Sequence, residues 1–136
     1  MKKITLLLAF MTSIGMAQDK EILPYYEIPE HADSYTAGSV ASRMLDGLGF
    51  RYYWATEGLR VEDLEYKPSE SGRTSAETID HLLGLSNFIR NSISTEKSSD
   101  STEVLTFIEK RKQTLLNIKK ASEILRTIDD VSQFDN

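Results

Sequence analysis

The chain has no cysteine, three prolines, one tryptophan and two histidines in 136 residues. Each scarcity removes a class of protein. Without cysteine there is no disulfide framework, no thiolate nucleophile and no cysteine-type zinc site, so stability has to come from an apolar core. Only His31 and His81 could serve as the base of a Ser-His-Asp arrangement, and no spacing sets a serine beside either. There is no glycine-rich strand-to-helix turn for phosphate, no internal repeat, no low-complexity tract and no alternating strand pattern. Among the 21 acids no spacing singles out a catalytic carboxylate pair. Positive charge is scarce too: 16 Lys and Arg leave a formal charge of −5. The densest basic run, "EKRKQ" (109–113), falls inside a helical pattern and reads as a solvated face. A phosphate backbone finds no basic stripe, so nucleic acid is not an expected partner.

Long apolar runs are limited to one. "MKKITLLLAFMTSIGMAQDK" has Lys2 and Lys3, then an apolar stretch from Ile4 to Met16, then small residues at Gly15 and Ala17. That is the layout of a signal peptide, residues 1–17, cut after Ala17. The stretch is shorter than the ~20 residues that span a bilayer. Cleavage removes the two lysines and no acid, taking the charge from −5 to −7. An exported protein, periplasmic or secreted, is expected, with no stable membrane insertion afterwards.

What remains reads as one all-α domain, an antiparallel helical bundle over residues 34–136. Residues 18–33, "QDKEILPYYEIPEHAD", are broken by Pro24 and Pro29 and read as an extended arm, with Tyr25, Tyr26 and Ile28 to pack. His31 lies in this arm with no helical register to aim it. A first helix is expected over 34–60, capped by Asp33 or Ser34, with Ala41, Met44, Leu45, Leu48, Tyr52, Ala55 and Leu59 as its buried stripe. Its glycines at 38, 47, 49 and 58 point to a kink or a close backbone approach. Phe50, Tyr53 and Trp54 lie nearly opposite the stripe. Either the arm covers them or they form an aromatic self-association surface. Residues 61–73, with Pro68 and Gly72, read as a connection. Thr74 and Glu77 form a capping box that starts a second helix running to about Ser94. A third helix is expected from Asp100 or Ser101 to Ile128, after a polar loop at 94–101.

One stretch, "TAGSVASRMLDGLGFRYYWATEGLRVEDLEYKPSESGRTSAETIDHLLGLS" (36–86), resembles the DinB-like, or DinB/YfiT-like, superfamily. The resemblance rests on a helix, a short loop ending in Lys-Pro, a capped helix and a histidine. It implies a four-helix bundle of up-down-down-up order, often dimeric, of which this chain holds three long helices. It also implies a divalent metal, zinc or nickel, held by three histidines, one at the position of His81. The chain reaches Asn136 without the histidines that the family carries on its last helix. By resemblance the expected activity is a divalent-metal-dependent hydrolysis or a thiol-dependent transfer, at a site incomplete in this chain. The alternative is a non-catalytic interaction module, a homodimer formed through the aromatic face or through the groove left by the missing helix.

Overall fold

The computed structural model describes residues 22–95 and 104–134. The signal-peptide segment lies outside them. The elements are α1 (Ala37–Thr56), α2 (Val61–Glu65), α3 (Ser75–Ile93), α4 (Phe107–Arg126) and a 3-10 turn, Ser132–Phe134. No strand occurs among the described residues. The protein is all-helical, as expected.

Local hydrogen bonding explains where the long helices begin. In α1 the Thr36 hydroxyl accepts from the Ser39 amide at 3.1 Å, and the Ser39 hydroxyl accepts from the Thr36 amide at 2.8 Å. Thr74 and Glu77 do the same for α3, as their spacing indicated. For α4 the capping pair is Thr106 with Glu109, not Asp100 or Ser101. The Thr106 amide donates to Glu109 Oε2 at 2.7 Å, and the Glu109 amide to Thr106 Oγ1 at 3.3 Å. A Thr-x-x-Glu box satisfies two orphan amides at once, which a lone serine or aspartate does not. Val104 and Leu105 therefore stay outside the helix, and Val104 is 91% exposed.

α4 is the central helix. α1 and α3 both pack along it and make no extended contact with each other, while α2 leans on α3. Paired residues give the directions. Thr36 meets Ile128, Ser42 meets Ser122 and Thr56 meets Arg111, so α1 runs antiparallel to α4. Asp80 pairs with Lys110, and Asn87 with Asn117, numbers that rise together. α3 and α4 are therefore parallel, which corrects the antiparallel expectation for that pair. The length of the connection between them permits this. Residues 94–106 can reach ~40 Å at ~3.3 Å each, enough to return along a 20-residue helix of ~30 Å.

The core differs from the expected stripe. Tyr25, Tyr52, Leu115 and Ile118 form its centre, with Leu23, Leu45, Tyr53 and Leu82 packed around them. On α1 the buried line is Gly38, Ser42, Asp46, Gly49, Tyr52 and Thr56. Met44 is 73% exposed and Leu48 41% exposed. The small residues decide this. A Cβ at Gly38 would collide with the carbonyls of Leu125 and Ile128, and one at Gly49 would stand 2.5 Å from the Tyr25 ring. The glycines mark close approach, so α1 turns its smallest face, not its most apolar one, to α4. The apolar line Ala41–Leu48–Ala55 is left about a quarter turn away.

Candidate functional site

Three places gather chemistry: a buried carboxylate under the arm, an aromatic hollow beside it, and a trough on the other side of α1.

Asp46 is 1% exposed, in the middle of α1. Its Oδ1 accepts from the Tyr25 hydroxyl at 3.2 Å and from Ser122 Oγ at 2.6 Å, and its Oδ2 pairs with Arg126 Nη2 at 2.5 Å. Ser42 and Ser122 share a further hydrogen bond at 2.9 Å. Arg126 also donates to the Glu30 carbonyl at 2.9 Å, and Arg43 to that of Pro29 at 2.5 Å. The carboxylate is thus fully satisfied, and each partner ties the arm or α4 to α1. Tyr25 sits at φ 72°, a left-handed conformation that its packing on Gly49 and its bond to Asp46 must hold in place. Burial, followed by the Asp46 charge, raises the Tyr25 hydroxyl well above its ordinary pKa. A cleft of about 430 Å³ borders this latch, between Pro24, Pro29, Lys119 and Glu123. The sequence reading missed Asp46. The signal that could have found it is an acid in step with Ser42 and Gly49, the small residues of the buried line.

Phe50, Tyr53 and Trp54 do lie together on the side of α1 away from the trough, where Phe50 is half-buried. The arm packs on Tyr53 and Trp54, in line with one of the two expectations for this face. Tyr26 packs against Tyr53 at 5.9 Å, nearly perpendicular, and against Trp54 at 5.3 Å. The Trp54 indole donates to the Tyr26 carbonyl at 3.2 Å. Arg111 lies over the Tyr53 ring, 4.5 Å from its centre. Its Nε donates to Thr56 Oγ1 at 2.9 Å, and its Nη2 to the Tyr53 carbonyl at 3.1 Å and to Glu57 at 2.6 Å. Trp54 remains 47% exposed.

His81 is exposed on α3. It falls on the same outer side as Phe88, which is 70% exposed, and away from Ile79 and Ser86, which face α4. Among the described residues no three His, Cys, Asp or Glu side chains are grouped to hold a metal. A metal at His81 would draw its other ligands from outside those residues. His31, in the arm, bonds through Nδ1 to the Ala32 carbonyl at 2.9 Å.

The trough follows from the angles on α4. Arg111 and Ser122 meet α1, while Lys110 and Asn117 meet α3. The two sets lie about a third of a turn apart at ~3.6 residues per turn. In a closed three-helix bundle the neighbours stand only a sixth of a turn apart, so α1 and α3 diverge. Between them run Leu45, Tyr52 and Leu82. Leu48 and Leu85, 41% and 44% exposed, form the rims. Beneath lie the buried hydroxyls of Tyr52 and Thr114.

No protein-family model, curated protein or solved structure matches the chain.

Proposed function

We propose that the protein is a non-catalytic helical interaction module of DinB-like type that pairs with a second copy through the trough between α1 and α3. The parallel α3–α4 pair supports the DinB-like reading, because an up-down-down order requires it. The observation that carries the interaction is the trough itself. Two helices that share α4 and diverge leave the fourth corner of a square bundle to another helix. The apolar rim is what such a helix would cover: Met44, Leu48 and Leu85 stand in solvent. A two-fold axis lays the Leu48 rim of one copy into the trough of the other and repeats the contact, closing both.

Sedimentation equilibrium of the full chain tests this. A dimer is expected at micromolar concentration. Leu48→Glu puts a charge on the rim without touching α4, and is expected to weaken the dimer at least about 30-fold, the scale of a ~2 kcal/mol hot spot. A chain that stays monomeric to millimolar concentration overturns the reading. A Leu48→Glu dimer of unchanged affinity removes the trough from it.

A further inference from the structure

The aromatic side of α1 carries a second feature, independent of the trough. Between the arm and α1 lies a hollow of about 350 Å³, lined by Leu23, Tyr26, Tyr53, Trp54, Glu57 and Arg111. We infer that it is a binding site for a small planar aromatic molecule that bears a neutral hydrogen-bond acceptor, such as a carboxamide. Its volume falls in the ~300–1,000 Å³ range of small-molecule sites, and its make-up, aliphatic and aromatic walls (Ile22 among them) with two charged groups, is of their kind.

The ring geometry sets the shape of the ligand. Tyr26 and Tyr53 stand at 87° to each other, and Tyr53 and Trp54 at 70°. Tyr26 and Trp54, the two exposed walls, are tilted at 47° to each other, so a flat ring stacked on one also touches the other. The half-exposed Tyr26 and Trp54, at 53% and 47%, offer the surface that stacking would cover.

The polar groups set its charge. Arg111 is 8% exposed and is held by Thr56, the Tyr53 carbonyl and Glu57 through Nε and Nη2. Nη1 is the donor nitrogen these contacts do not use. Glu57 beside it offsets the guanidinium charge, so an anion gains little and is repelled by the carboxylate. A neutral acceptor can bond the guanidinium where it lines the hollow without that penalty.

Trp54, the chain's sole tryptophan, lines the hollow, so its indole N–H gives one unambiguous NMR signal. The experiment titrates unlabelled indole-3-acetamide into the ¹⁵N-labelled full chain. A saturable shift of the Trp54 signal is expected, with affinity at least tenfold above those of 3-ethylindole, which lacks the acceptor, and indole-3-acetate, which is charged. Tyr26→Ala removes one wall from the exposed arm and keeps the carbonyl that Trp54 bonds. It is expected to lower the affinity at least tenfold while the melting temperature holds. No saturable shift overturns the inference. So does equal binding of the three probes, or binding indifferent to Tyr26→Ala, because each means stacking on an exposed indole and no site. A second check is Glu57→Gln, which is expected to narrow the gap between acetamide and acetate; an unchanged gap overturns the charge argument.

Discussion

Tyr25 shows how much one side chain holds together. Its ring fills the space above Gly49, its hydroxyl bonds Asp46, and through Asp46 it is linked to Ser122 and Arg126 on α4. The hydroxyl is kept protonated, chiefly by burial and then by the Asp46 carboxylate, and Tyr52 is raised as well, burial again being the main cause. For a group whose folded pKa lies above its unfolded value near 10, the stabilisation is whole below that value and disappears as pH climbs through the folded one. The melting temperature is therefore expected to drop between pH 9 and pH 11. Tyr25→Phe should show a smaller drop, starting from a lower stability at pH 9. Equal drops in the two proteins would mean that the alkaline loss arises elsewhere. The same residue shows what a sequence hides. It sits between a proline and another tyrosine in a segment without periodicity. That the segment packs was legible, but which tyrosine is buried depends on a left-handed φ and a glycine 24 positions away.

At the level of elements, one start of three matched its expectation: α1 is capped by Thr36, not Asp33 or Ser34. The Thr74–Glu77 box and the α3 that follows stood plainly in the sequence, because a cap is a local hydrogen-bond pattern. The α4 start was legible too, in "TFIE", and was passed over for the more polar Asp100 and Ser101. The buried face of α1 was not legible from hydropathy. Its strongest apolar stripe is a rim, and the line against α4 is built of glycine, serine, threonine and one acid, with Tyr52 its one large side chain. What selects that face is the distance between two backbones, which no single-helix pattern encodes. Gly38→Ala measures the effect. Helix propensity alone would stabilise α1 by up to ~1 kcal/mol. The clash with the Leu125 and Ile128 carbonyls should instead lower the urea midpoint, with a net cost of roughly 1–3 kcal/mol. A stabilised variant would show that the α1–α4 seam can open freely.

For the whole molecule, helical class was readable from period and composition, while packing order was not. Nothing in the stripes says that α3 and α4 run the same way. That is shown by pairs such as Asp80 with Lys110, and a connection as long as 94–106 permits it. His81 likewise was legible as a residue on a helix edge, but which edge faces the neighbours emerges only when α4 is in place. Because only α4 packs along both other long helices, α1 and α3 share no extended contact from which to build a core. Tyr52 and Leu82 need Leu115 and Ile118 beside them. A fragment of residues 1–95 is therefore expected to show little helical circular dichroism and no cooperative melt. A folded fragment would mean that α1 and α3 find each other without a hub. Protein synthesis meets the same constraint. A ribosome that has released the arm, α1, α2 and α3 has released a polypeptide with no stable fold. Structure has to wait for residues 107–128, so most of the chain emerges still open to whatever chaperone or translocation machinery handles nascent polypeptides.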